Sequence, residues 1–312
     1  MKTSSRSTIY LIPLLCCCTL GKSVLGQRAA DQERIKKNLY HIVQTPKSRN
    51  YQNVETLDTV SVFIRTQLKE VCGSTAYQEY KVNGVTYKNV IGSIGPKKGE
   101  RIIIGAHYDV AGDQPGADDN ASGVVGILEL ARLLATEELK YRIDFIAYTL
   151  EEPPFFRTEH MGSYIHAKFL KDRGVAVKGM ICLESIGYYS NAPNSQNYPF
   201  PQMKALYGDK GDFIAVVQNK KAGDFSMKMA DFMVAYRGIK TQIVQGSSSV
   251  PGVDFSDHLN YWKFGYDAIM ITNTAVYRNP NYHTAKDTPE TLDFNKIARV
   301  IEQLYQAIRR IE

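Results

Sequence analysis

The side chains able to do chemistry fall in short clusters. His107 and Asp109 close the stretch Gly105-Ala106-His107-Tyr108-Asp109, and a carboxylate pair follows in Gly116-Ala117-Asp118-Asp119-Asn120-Ala121-Ser122-Gly123. Glu151-Glu152 and Glu184 each come just after an apolar run. His283 lies in Tyr282-His283-Thr284-Ala285-Lys286-Asp287-Thr288. A lone carboxylate after a strand commonly caps the next helix. Separate positions supplying His, Asp, Glu, Glu and His are harder to explain that way. Imidazole and carboxylate are zinc ligands, and a bridging carboxylate suits a pair of metals.

The elements that must position these residues are legible in outline. Ile102-Ile103-Ile104 reads as a buried parallel strand ending at His107, and a Val/Ile/Leu/Ala-rich helix runs from Asp119 to about Ala135. The strands 143–150 and 177–183 deliver Glu151-Glu152 and Glu184. In an open α/β sheet the carboxyl ends of strands are where ligands bind. Ahead of them lie helices at 32–44 and 54–70, then strands 75–82 and 85–93 joined by the hairpin turn Asn83-Gly84. After Glu184 the pattern gives a long surface loop at 190–212, a strand at 213–218, a helix at 224–236 and a short strand at 241–244. A loop at 246–254, a helical turn at 259–264, a strand at 268–272 and an amphipathic helix at 292–311 complete the chain. This order predicts a three-layer α/β fold: a mostly parallel twisted sheet, helices on both faces and an antiparallel hairpin edge. Residues 27–312 are expected to form a single catalytic domain.

Composition is ordinary for a globular protein, with 44% apolar and 22% charged residues. The net charge of +6 includes Lys2, Arg6 and Lys22 in a leading segment that holds no acid, and no basic stripe points to nucleic acid. Residues 1–26 read as a secretory signal: a basic start, an apolar stretch at 8–20 and small or apolar residues before Gln27. The stretch is short for a membrane span, so export to the periplasm or outside is expected, with no stable membrane span after processing. Cys16, Cys17 and Cys18 leave with the signal; the small residue expected before a lipidated Cys is missing. Cys72 and Cys182 remain, as a disulfide or as free thiols.

The order His-x-Asp, Gly-Ala-Asp-Asp-Asn-Ala-Ser-Gly, Glu-Glu, a carboxylate after a strand, Ser-Asp-His and Tyr-His-Thr-x-x-Asp-Thr resembles the co-catalytic dizinc aminopeptidase family. That family also holds glutamate carboxypeptidase-like and glutaminyl cyclase-like members. The resemblance covers about residues 85–295. It implies two zinc ions, with cobalt or manganese as substitutes, and a peptide substrate. Asp119 would bridge the metals, with His107 and Glu184 on one and Glu152 and His283 on the other. Glu151 would act as general base on a shared, metal-activated water. Asp109 would orient the His107 imidazole.

Two departures from the family pattern stand out, the first bearing on metal coordination and the second on substrate. Glu184 stands where the family more often has Asp, reaching one methylene further. Pro153-Pro154-Phe155-Phe156-Arg157-Thr158-Glu159-His160-Met161 precedes Gly162-Ser163, where plain aminopeptidases have a short turn. Its prolines stiffen it, Phe155 is a candidate apolar wall, and Arg157 a candidate partner for a substrate carboxylate. Asp257, His258 and Tyr277 are further candidates for contact with substrate. His41 and His166 read as ordinary helix residues. Two other readings stand beside the peptidase: a glutaminyl cyclase-like, one-zinc acyltransferase, and a binding module that keeps the fold without its metals.

Overall fold

Strands rich in Ile and Val, apolar on both faces, form the middle of the sheet. The computed structural model describes residues 29–311, so the expected signal segment and Cys16–Cys18 lie outside the described residues. The strands are β1 (Ser74–Val82), β2 (Val85–Ile94), β3 (Arg101–His107), β4 (Arg142–Tyr148), β5 (Val177–Glu184), β6 (Ile214–Asn219), β7 (Thr241–Gly246) and β8 (Ala268–Thr272). They form one eight-stranded sheet in the order β1-β2-β4-β3-β5-β8-β6-β7. β4, β3, β5 and β8 pair in parallel. The β1–β2 hairpin is antiparallel and joins β4 antiparallel through β2. Its turn places Asn83 (φ 50°) and Gly84 (φ 85°) in the left-handed region, the geometry a two-residue hairpin of native twist needs.

The far edge departs from expectation. β6 and β7 are parallel to each other, but β6 runs antiparallel to β8. A strand buried on both faces reads the same in either direction, so its residues do not announce which way it pairs.

Side chains that alternate along the strands feed two cores. Ile102, Ile104, Ile181 and Leu183 point to one face. That face is covered by α1 (Gln32–Val43), α2 (Val54–Lys69), α3 (Gly123–Leu134), α6 (Asp224–Tyr236) and α8 (Phe294–Ile311). Ile103, Met180 and Cys182 point to the other, under α4 (Gly162–Asp172) and α7 (His258–Lys263). Such alternation is what helices on both faces require. A six-residue helix, α5 (Gln202–Tyr207), interrupts the expected loop 190–212. Both described cysteines are free: Cys72 is half-buried and Cys182 buried within β5.

Candidate active site

The strand ends converge as the topology demands. His107 is the last residue of β3 and Glu184 the last of β5; Glu151 and Glu152 follow β4. Asp119 sits at a kink in the segment Ala117–Ser122 that leads into α3, its own backbone extended rather than helical. His283 comes from the loop after β8.

Asp119 lies between the two imidazoles. Its Oδ1 is 3.3 Å from His107 Nε2 and its Oδ2 is 3.1 Å from His283 Nε2. Glu184 Oε2 stands 3.2 Å from His107 Nε2, and Glu152 Oε2 stands 3.3 Å from His283 Nε2. Glu151 Oε2 is further off, 3.9 Å from His107 Nε2. Two of the groups able to hold a metal ion are therefore His107/Asp119/Glu184 and Asp119/Glu152/His283, which share Asp119; a third is His107/Glu151/Glu152. His283 is open to solvent, whereas the other members are buried.

These residues fit a metal. Buried carboxylates repel one another unless a cation or proton neutralises them. Glu152 Oε1 is buried with no hydrogen-bond partner. Burial, with the neighbouring carboxylates, pushes Glu151 well above the usual carboxylate range and Glu152 to about 7. Burial also raises Asp119, but the imidazoles on its two oxygens prevail and hold it below its ordinary value. Burial lowers His283, but Asp119 and Glu152 prevail and carry it to about 10.

Backbone contacts fix the loops. Asp287 accepts hydrogen bonds from the backbone N–H groups of Asp118 (2.9 Å) and Asp119 (3.1 Å). The Asp118 carboxylate is already occupied, accepting from the backbone N–H groups of Gly187 and Tyr188 and from Asn273 and Asn279. That is the physical reason the second Asp of the pair, not the first, faces the imidazoles. The Asp109 carboxylate accepts from the backbone N–H of Glu151 (3.2 Å) and of Glu152 (3.1 Å), and its Oδ1 is 3.6 Å from His107 Nδ1. The Asp109 backbone carbonyl lies closer to that nitrogen, at 3.2 Å. Its side chain thus grips the Glu151-Glu152 turn more directly than it grips the imidazole.

Ser256 and Arg49 were not singled out from the sequence. Ser256 Oγ donates to Glu184 Oε2 at 2.7 Å. It belongs to the Ser256-Asp257-His258 segment, and a serine beside an acid is its only mark in the sequence. Arg49 gave no signal.

The candidates for substrate contact divide. Tyr277 and Tyr282 line a cleft that reaches Glu184, and the Tyr282 ring stacks on His283 with centroids 3.9 Å apart. Phe155 does not face the cleft; it turns into the core against Tyr51 and Tyr87. Its neighbour Phe156 packs edge-on to Phe255, which lines the cleft. Arg157 is engaged by Asp254 at 2.6 Å, with the Phe156 and Phe255 rings each 5.4 Å away. His258 is buried, its Nε2 bonded to the Val253 carbonyl at 2.8 Å, and burial lowers it to about 4. Asp257 is fully buried and burial raises it to about 7. His41 stacks on Phe63, and His166 Nδ1 lies 2.7 Å from the Tyr261 hydroxyl.

Known proteins share this chain and fold. YfbL, an uncharacterised protein of Escherichia coli K12, is 43% identical over 304 residues, covering 94% of this chain and 93% of its own. The LapA aminopeptidase of Legionella pneumophila superposes with a TM-score of 0.70 at 21% identity, covering 90% of this chain and 72% of its own. A glutaminyl cyclase of Fimbriiglobus ruber superposes equally well, with a TM-score of 0.70 at 16% identity over 90% of this chain and 95% of its own. At such identity the likeness shows the fold, which serves both chemistries. The model of peptidase family M28 matches residues 89–308, most of the strands and all of the acid–imidazole cluster, and the chain belongs to that family.

Proposed function

We propose that this protein is an exported zinc aminopeptidase that holds two metal ions and cleaves N-terminal residues from peptides. The observation that carries the reading is Asp119. Each of its oxygens faces a different imidazole, and each imidazole has a second carboxylate beside it, Glu184 or Glu152. A carboxylate shared in this way is what a two-metal site uses as its bridge.

His107, Asp119 and Glu184 would hold one zinc, and Asp119, Glu152 and His283 the other. When bound, the metals supply Lewis acidity at the scissile carbonyl and at a water. Glu151 belongs to neither triad, sits beside both, and is raised by burial. It takes the proton from the attacking water and returns it to the leaving amine. Asp109 keeps the Glu151-Glu152 turn in place through two backbone amides. Cobalt or manganese would satisfy the same donor set.

The cleft supports an apolar residue at the substrate's N-terminus. Val217, Val253, Met270, Phe213 and Phe255 form much of its wall, and Glu184 is the one charged side chain among the described residues that line it. Burying such a side chain there gains roughly 25 cal/mol per Å² of apolar surface. Export rests on the basic-then-apolar character of residues 1–26; among the described residues no helix is long and apolar enough to cross a membrane.

Two measurements test this reading. Elemental analysis of the purified protein is expected to give about two zinc per chain by the two-metal logic. A peptide beginning with Gln is expected to release free Gln. About one zinc, together with loss of ammonia from an otherwise intact peptide, would instead establish cyclisation. Absence of tight zinc and of any cleavage would make the protein a binding module.

A further inference from the structure

Among the described residues Arg49 is the largest fully buried side chain. It stands in the connection between α1 and α2, outside the residues that face the cluster. Its guanidinium donates to backbone carbonyls rather than to a carboxylate. Nε bonds the Tyr108 carbonyl at 2.9 Å; Nη1 bonds those of Pro115 at 2.5 Å and Ile42 at 3.4 Å; Nη2 bonds that of Gly116 at 2.9 Å. The Arg49 carbonyl in turn accepts the Val110 backbone N–H at 3.1 Å. Tyr108 follows His107, and Gly116 opens the turn that carries Asp119. One side chain therefore ties the two segments bearing the shared carboxylate and its first imidazole.

The cradle is tight. A Cβ at Gly116 (φ +59°) would come within 2.2 Å of Val110 Cγ1, 2.4 Å of the Asp119 carbonyl and 3.1 Å of Arg49 Nη2. The planar fork of an arginine matches acceptors at fixed angles; a lysine ammonium offers a point charge and cannot span them.

We infer that Arg49 is a positioning residue for metal binding: it sets the spacing of His107 and Asp119 by clamping the Tyr108, Pro115 and Gly116 carbonyls. The inference rests on reading the acid–imidazole cluster as a metal centre. Its sign separates clamp from charge. Asp287, Asp109, Asp119 and Glu152 all act electrostatically on the guanidinium. A bare cation at that place would oppose an incoming metal ion, so removing it would tighten binding if charge were all that mattered.

The test is zinc affinity, measured by chelator competition on the full chain. Wild type is compared with Arg49→Lys, which keeps charge and loses the fork, and with Arg49→Gln, which loses both. Both are expected to bind zinc roughly 10- to 100-fold more weakly, the usual consequence of removing an outer support of a metal ligand. Met229→Ala, a cavity in the buried face of α6 away from the clamped segments, is expected to lower Tm without changing zinc affinity, which separates positioning from mere stability. Wild-type affinity in Arg49→Lys, or tighter binding in Arg49→Gln, would overturn the inference. Absence of zinc binding by the wild type overturns the metal reading itself, and the clamp with it.

Should neither variant fold, amide exchange on the metal-free wild type decides. A clamp that preforms the loops keeps the Val110 and Ala121 amides slow to exchange, since they bond the Arg49 and Gly116 carbonyls. Fast exchange at both would refute it.

Discussion

The acid–imidazole cluster and the cleft beside it are built on opposite principles. The cluster takes its side chains from the ends of β3 and β5, from turns anchored to β4 and α3, and from one loop after β8. Its loops are pinned by backbone bonds to Asp109, Asp118 and Asp287. The cleft is lined largely by the segments around 196–207, 250–255 and 274–277, with residues of β6, β7 and β8 completing it. Residues on rigid strand ends suit chemistry, where small displacements are costly; loops suit selection, where shape must vary. The difference predicts that changes in the cluster act on turnover or metal, and changes in the cleft on which peptide is taken.

The largest effect expected is at Glu151. Glu151→Gln keeps the shape, leaves both metal triads intact and removes the base, so kcat should fall by about 10²–10⁴ while zinc content stays at the wild-type level. Loss of zinc in that variant would show that Glu151 is a ligand and not a separate base.

A cleft variant should behave in the opposite manner. Val276 lines the cleft and is 51% exposed, so a larger side chain there can fill the cleft without disturbing the core. Val276→Trp should lower kcat/KM for peptides beginning with Leu or Phe by about 10-fold or more, the scale of one methylene's worth of pocket contact. Peptides beginning with Ala should be spared. An equal loss for Ala and Phe substrates would mean the substrate side chain does not enter the cleft.

The third variant tests the rigidity of the cluster. Asp287→Ala removes the acceptor of the Asp118 and Asp119 amides, and zinc affinity should drop about 10- to 100-fold. Selectivity among substrates, measured at saturating zinc, should be unchanged. A shift in selectivity would show that the loop carrying Asp119 also shapes the cleft.

The same contrast explains what the sequence revealed. The proposed ligands and base come from few residue types, and most of them follow an apolar run, so His107, Asp119, Glu151, Glu152, Glu184 and His283 stood out. The hairpin was legible from Asn83-Gly84, and the helices from their periodicity. The reversal of β6 against β8 was not, because strands apolar on both faces carry no sign of direction. Nor was Arg49: it binds main-chain carbonyls, which every residue has, so no side-chain pattern points to its partners. The cleft was nearly silent, since Val217, Val253 and Met270 look like any core residue. Phe155 illustrates the limit. An aromatic in an inserted loop suggested a substrate wall, but Tyr51 and Tyr87 offered it a dry place to pack, and Phe156 took the outward position instead.

The smallest effect expected is at the join between the inserted loop and the cleft. Arg157 reaches Asp254 at 2.6 Å, and the Phe156 and Phe255 rings flank the guanidinium. Arg157 is substantially exposed, with 45% of its side chain accessible, so the pair is screened and Asp254→Asn should cost no more than about 1 kcal/mol of stability. Its consequence should be read instead in KM, because Phe255 faces the cleft and shares the Arg157 contact. Asp254→Asn should raise KM for apolar peptides by a factor of about 5 or less, the same 1 kcal/mol expressed as binding, and leave kcat alone. Salt supplies the internal control. If the ion pair holds the wall, raising ionic strength should move the wild-type KM toward that of the variant while the variant stays flat. A kcat effect, or equal salt dependence in both proteins, would mean that the inserted loop acts on the cluster and not on the cleft.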